Sequence, residues 1–373
     1  MDSNNLNLSD DFYANPTIAD TMRETDKHCP SCGAHMHYDP ETGMLKCDYC
    51  GEKRAFEDPN PPKVLETPLE DATERKSLKW GEEAKSVICK SCGAESIYDG
   101  LKVSDLCPYC GSNLVVEADA PEAMPPNGVC GFRITVKDAA ERFKKWIKRK
   151  FFAPNIVRRT AQPESFTGVY LPFWTFDADS ASKYTARYGI DRTETDSDGK
   201  SHTRTDWYKT SGEYSYFFDD LLVPGSERYD NSIISQIEPF DTANSVPYRP
   251  EYIAGFLAER YSVGIDDAWV NGQSKARGIL ESRIRDKILK ENNADRVSDL
   301  KFESLFSNVK FKYIMLPVWL SSFRYKEKIY NFMVNGQTGK VGGKSPVAAW
   351  KVILATILGI AVLALLLYLS KDA

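Results

Sequence analysis

The amino-acid sequence predicts a multidomain chain: two small four-cysteine ribbons, an α+β body and one C-terminal transmembrane helix. Three observations predict it. Cysteines recur twice as C-x2-C-x14-C-x2-C, the middle of the chain orders strands, then helices, then strands, and Val352 to Leu369 carries no charge. With 373 residues, 42% hydrophobic and 27% charged, the chain is long enough for two or three folding units of roughly 100–200 residues, and disorder along its whole length is excluded. The net charge of −5 hides an asymmetry. Residues 1–120 hold 23 acidic and 12 basic side chains, net −11, which leaves +6 for the rest.

Residues 1–27 are polar and acidic, without the basic start and apolar run of an export signal, and are expected to be a disordered N-terminus. The thiols that follow are therefore expected in a reducing cytosol, where paired CxxC motifs read as metal ligands and not as disulfides. Cys29, Cys32, Cys47 and Cys50 define the first ribbon (28–56); Cys89, Cys92, Cys107 and Cys110 repeat its spacing 60 residues later in the second (87–117). Two thiolates separated by two residues fit the turn of a zinc knuckle, and two knuckles together give four sulfurs in a tetrahedron, about 2.3 Å from the ion. Gly33, Gly51, Gly93 and Gly111 follow the knuckles and permit the positive φ that turns backbone N–H groups toward sulfur. Redox-active dithiols and iron in a rubredoxin-like site compete with this reading, and two structural Zn²⁺ ions are the expectation. His28, His35 and His37 lie near the first site, but four thiolates already complete the shell. A module of this size buries too little apolar area to fold alone, so ligation supplies the missing stabilisation. The acidic charge of this half, to which each four-thiolate zinc centre adds a formal −2, opposes phosphate recognition and favours protein partners.

Proline-containing segments at 57–86 and 118–130 read as linkers, and 131–346 as the α+β domain. Its first helix is expected over Val136 to Phe152, with Ala140, Phe143, Ile147 and Phe151 as an apolar stripe and Lys144, Lys145, Lys148 and Arg149 opposite. Ten basic and two acidic residues between Arg133 and Arg159 make this segment +8, so its basic face can meet anionic lipid or nucleic acid. Strands are predicted at Tyr170–Asp179, Ser182–Thr193 and Ser201–Val223, helices at Pro250–Tyr261 and Ser274–Glu291, and strands again at Lys310–Tyr325 and Lys328–Val334, closing on a turn at Asn335-Gly336. Leu171-Pro172-Phe173-Trp174 and Leu316-Pro317-Val318-Trp319 share an LPxW core, a sign of internal duplication.

The last element, a transmembrane helix at 347–370, rests on the 18 uncharged residues from Val352, about 27 Å as a helix against ~30 Å of hydrocarbon. Lys340, Lys344 and Lys351 precede it and Lys371 alone follows, so the bulk of the chain is expected on the cytoplasmic side of the cell membrane as a single-pass, tail-anchored protein.

No catalytic residues are expected. Thr338-Gly-Lys-Val-Gly-Gly-Lys344-Ser345 imitates a phosphate loop but lacks its first glycine and the helix that must follow. Asp219-Asp220 and Asp266-Asp267 have no histidine or lysine nearby in sequence to give them acid–base work, and His202 stands in a polar strand.

The segments CPSCGAHMHYDPETGMLKCDYCG, CKSCGAESIYDGLKVSDLCPYCGS, LPFWTFDA, FFDDLLVP, FLAERYSV and LPVWLSSFRYKEKIYNFMVNGQTGK together resemble the bacterial membrane-anchored double zinc-ribbon proteins. Members carry labels such as TFIIB-type zinc ribbon protein or primosomal helicase; the helicase label has no support in a chain without paired motor domains. The resemblance implies a non-enzymatic role at the cytoplasmic face of the membrane. It also implies association with flotillin-like (SPFH) scaffold or phage-shock-type proteins in envelope stress. The expected function is thus a zinc-ribbon adaptor that recruits protein partners, with a membrane-tethered nucleic-acid-binding factor as the alternative.

Overall fold

A computed structural model describes residues 28–56, 62–75, 85–89, 95–98, 115–118, 124–154, 166–195, 201–325 and 328–369. Strands β1 (Met36–Asp39), β2 (Met44–Cys47) and β3 (Lys53–Arg54) form a small antiparallel sheet, the first ribbon. All other described strands share one twelve-stranded sheet. They are β4 (Thr67–Pro68), β5 (Lys85–Cys89), β6 (Glu95–Tyr98), β7 (Val115–Ala118), β8 (Gly128–Val129), β9 (Thr167–Thr195), β10 (Ser201–Pro224), β11 (Val246–Pro247), β12 (Leu257–Glu259), β13 (Arg296–Tyr325), β14 (Lys328–Asn335) and β15 (Val341–Gly343). The described α-helices are α1 (Val136–Lys148), α2 (Asn231–Ile237), α3 (Ile265–Glu291) and α4 (Ala349–Leu369). The α+β body and a four-cysteine ribbon thus stand as expected.

The strands at the centre are far longer than their sequence signals. The two strands expected between Tyr170 and Thr193 are one, β9, because alternation is unbroken across Ser180 and Ala181: Ala178, Ser180, Ser182, Tyr184 and Ala186 are buried, and the residues between them are exposed. β13 begins fourteen residues before the expected Lys310, at Arg296. Bulges at Asp220, Asp299 and Asn308, all at positive φ of 50–53°, let β10 and β13 twist, and each shifts the pairing with β9 by one residue. The far halves of β9 and β10 form an arm about 60 Å long at ~3.3 Å per residue, three-stranded where residues 296–309 of β13 join it and two-stranded beyond Gly189.

Helix α3 covers one face of this arm. Its buried residues are Ala268, Gly272, Ala276, Leu280, Ile284 and Ile288, every fourth position. Such a row drifts about 40° per step and winds round the helix, which suits a twisted ribbon better than a flat sheet. The first three are small: a Cβ on Gly272 would already touch Phe176 at 3.4 Å and Val223 at 3.5 Å. That is why only the later part of the helix, Ser274–Glu291, is apparent from sequence.

The LPxW motifs mark a pseudo-two-fold axis. In the antiparallel β9–β13 pair, Leu171 lies opposite Leu316. β8 then runs parallel to β13 with Val129 opposite Met315, and β12 runs parallel to β9 with Ala258 opposite Tyr170, so Val129 and Ala258 are equivalent. Each is followed seven residues later by the start of a helix, α1 or α3. Trp174 Nε1 donates to the carbonyl of Val263 at 3.0 Å and Trp319 Nε1 to that of Ile134 at 2.8 Å, so each half's tryptophan latches the other half's strand-to-helix turn. The predicted duplication is therefore present in the topology as well as in the motif.

Three expectations are corrected. The helix predicted over Pro250–Tyr261 is a 3-10 turn at Pro250–Ile253 followed by β12: Gly255 at φ +82° ends the turn, and β9 recruits Leu257 and Ala258. Parts of both presumed linkers are paired: Thr67 and Pro68 join β13, a 3-10 helix spans Leu69–Arg75, and Gly128–Val129 is β8. Helix α1 stops at Lys148 ahead of Pro154, so Ala140, Phe143 and Ile147 are buried as predicted but Phe151 is 66% exposed.

Helix α4 has 21 residues, about 31 Å at 1.5 Å per residue. Its side chains are described only to residue 363, about 22 Å of helix, and among residues so described no helix is long and apolar enough to cross a membrane. The element predicted at 347–370 stands as a helix.

Candidate metal centre

Cys29 and Cys32 flank the turn before β1, and Cys47 and Cys50 the turn between β2 and β3. Each turn closes in the same way. Gly33 N–H donates to the Cys29 carbonyl at 2.8 Å and Gly51 N–H to that of Cys47 at 3.0 Å; Cys29 N–H donates to Ala34 and Cys47 N–H to Glu52. Both glycines have positive φ, 73° and 79°, as the knuckle chemistry predicts.

These turns bring the four sulfurs within 4.8 Å of one another, with Cys29–Cys50 at 3.4 Å and Cys32–Cys47 at 3.6 Å. Tetrahedral ligation at ~2.3 Å demands sulfur separations near 3.8 Å, so the cluster fits one ion with little adjustment. Backbone N–H groups of Cys50 and Tyr49 draw the Cys47 thiol down to about 7. Cys50 goes the other way, to about 12: the Glu52 N–H favours its thiolate, but the Cys29, Cys32 and Cys47 sulfurs and desolvation together outweigh it. Four thiols this close cannot all ionise unless a cation joins them. With four thiolates the shell is closed, and the chemistry an ion supplies here is cross-linking of two turns. His37 Nδ1 pairs with Asp48 at 3.3 Å and His28 lies against His35, ring centroids 4.2 Å apart, so these histidines sit beside the thiolate set and outside it.

The ribbon is fastened to the body. Tyr38 N–H donates to Ala254 at 3.1 Å, its hydroxyl donates to the Phe132 carbonyl at 3.2 Å, and Phe56 stacks on Tyr252 at 4.3 Å. Burial pushes the Tyr38 phenol up to about 12, which keeps that donor proton in place. Of the second tetrad, Cys89 ends β5, while Cys92, Cys107 and Cys110 lie outside the described residues. β5, β6 and β7 pair among themselves, and β6 joins the main sheet through β12.

No family model matches this chain, and no solved structure does. One bacterial relative does. An uncharacterized protein of Bacillus subtilis (strain 168), YdjG, is 29% identical over 325 residues, 87% of this chain and 91% of its own length.

Other candidates resolve into structure. The Thr338–Ser345 segment is a turn leading into β15, with Lys344 paired to Asp230 and Lys340 bonded to the Glu238 carbonyl. Asp266 and Asp267 occupy the first turn of α3, where the helix dipole favours them. His202 pairs across strands with Glu194. The ninth cysteine, Cys130, is buried, donates to the Asp241 carbonyl at 3.5 Å, and has its thiol pushed up to about 12 by burial, so it is inert. Asp220 of the Asp219-Asp220 pair does meet a lysine, one distant in sequence: the buried Lys312 reaches Asp220 at 2.6 Å and Glu66 at 3.5 Å beside Asp177.

Proposed function

We propose that this chain is a non-enzymatic, membrane-anchored zinc-ribbon adaptor that recruits protein partners at the cytoplasmic face of the membrane. The observation that carries this reading is mechanical continuity. A four-thiol cluster is fastened through Tyr38 and Phe56 to Phe132 and Tyr252 of the body, and the segment that follows α1 in that body holds the first turn of α4. α4 exposes Ile353, Ile357, Ile360 and Leu363 at 59–63%, together with Leu354 and Leu358 on its other sides, as a helix surrounded by lipid would. A second structural Zn²⁺ is proposed at Cys89, Cys92, Cys107 and Cys110 on the repetition of the spacing alone. The partner class that the sequence resemblance suggests is a flotillin-like scaffold or a phage-shock-type protein. The exposed basic residues of α1 favour a second reading, a membrane-tethered nucleic-acid-binding factor, against which the −11 charge of residues 1–120 weighs.

Purification of the full chain in mild detergent separates the two. A stoichiometric protein partner is the expected result; nuclease-sensitive nucleic acid in its place overturns the adaptor reading. Resistance of the chain to alkaline extraction from membranes tests the anchor.

A further inference from the structure

The end of α1 and the start of α4 are tied into one unit. Lys351 Nζ donates to the carbonyls of Phe151 at 3.2 Å and Ala153 at 2.7 Å, and Ala348 N–H donates to the Phe152 carbonyl at 2.8 Å. Lys351, one of the basic residues preceding the apolar stretch, thus binds carbonyls that follow α1. This leaves an aromatic cluster at the base of α4: Phe151 66% exposed, Phe152 40%, Trp350 59%. Lys144, Lys145, Lys148, Arg149 and Lys150 stand exposed on the last two turns of α1 and just beyond.

We infer that this collar of exposed aromatic rings and basic side chains docks on the anionic phospholipid headgroups around the point where α4 enters the bilayer. The inference rests on the membrane-anchored reading of α4 and adds a lipid class and a fixed orientation to it. Three features on the molecule point to this occupant. The cluster is continuous with the exposed apolar surface of α4, aromatic residues partition to the headgroup level, and the flanking charge is cationic and complementary to acidic lipid. Each basic residue near an anionic surface strengthens partitioning about fivefold. Because Lys351 and Ala348 clamp α4 to this segment, docking also sets the angle at which the body, with its ribbon, stands from the membrane.

The test uses the full chain in nanodiscs of phosphatidylcholine, with or without phosphatidylglycerol, and measures hydrogen–deuterium exchange over 142–153. Exchange is expected to slow several-fold when phosphatidylglycerol is present, to recover in high salt, and to lose that lipid dependence in a Lys144→Glu/Lys145→Glu/Lys148→Glu/Arg149→Glu variant. Phe151→Ser/Phe152→Ser should raise exchange in both lipids. A chain that stays in the nanodiscs yet exchanges equally in both lipids overturns the collar and leaves the anchor standing. A chain that does not stay in the nanodiscs overturns the anchor and the collar with it. Protection of this segment by added nucleic acid in place of acidic lipid overturns the collar as well.

Discussion

The four-cysteine ribbon and the β9–β10–β13 arm share a shortage of core and meet it by opposite means. The ribbon's own buried cluster is Cys29, Met36, Leu45 and Cys47, joined by Ala254 of the body; two of these belong to the four-thiol cluster that an ion would cross-link. The arm has three long strands with one face covered, and side-chain contacts hold the cover: the winding row of α3, the Arg283 guanidinium 4.1 Å from the Tyr216 ring centroid, and Lys287 bonded to the Glu213 carbonyl. On the proposed zinc-bound reading, the difference teaches that stability in this chain is divided between an ion and a helix. Each region should therefore be removable without the other.

The largest expected effect is on the ribbon. Chelation, or Cys47→Ser, should withdraw on the order of 10 kcal/mol of ligation energy and unfold 28–56, while exchange protection along α3 stays as it was. Collapse of the arm in the same experiment would break the comparison. Next comes Ile284→Ala, which truncates a fully buried side chain in the middle of α3. It should cost about 2–5 kcal/mol in denaturant unfolding and leave bound metal unchanged.

A smaller effect tests the polar cluster where β4 meets the sheet. Burial, opposed by the Asp220 N–H and reinforced by Glu66, pushes the Asp177 carboxyl from 3.8 up to about 7. The fold therefore favours the protonated form. Its contribution is fully present below about 3.8 and lost as pH rises through about 7. Asp177→Asn keeps the acceptor for Asp220 and removes the charge, so variant and parent should match below about pH 4, diverge as pH rises from there, and differ by a constant amount above about pH 7, the variant being more stable by on the order of 1–2 kcal/mol. Equal melting curves across that range would show that the cluster is paired well enough to stay charged. The smallest effect is that of Tyr38→Phe, which deletes only the hydroxyl bonded to the Phe132 carbonyl. About 1 kcal/mol should be lost from the ribbon-to-body contact, read as faster exchange in β1 with metal content intact.

The same contrast explains what could be read in advance. Ligand chemistry is local, so Cys29 to Gly51 carried its geometry in its spacing, down to the positive φ of Gly33 and Gly51. The α+β order, the core stripe Ala140–Phe143–Ile147 and the turn at Asn335-Gly336 were local too. Pairing across the sheet is not. The early start of β13 depends on β9 lying beside it, β12 exists because β9 and β6 recruit it, and the first half of α3 is hidden because Ala268, Gly272 and Ala276 are chosen for closeness to strands far along the chain. Phe151 has the right period to be core, and only the arrival of α4 at residue 348 shows it to be surface. The LPxW repeat was a four-residue hint whose meaning lay in Leu171 facing Leu316.

Zinc analysis of the intact, detergent-extracted chain tests the central claim most directly, measured beside Cys47→Ser. The account predicts bound zinc in the parent chain and one equivalent less in the variant; a folded parent chain that carries no zinc, or a variant that retains all of it, would contradict it.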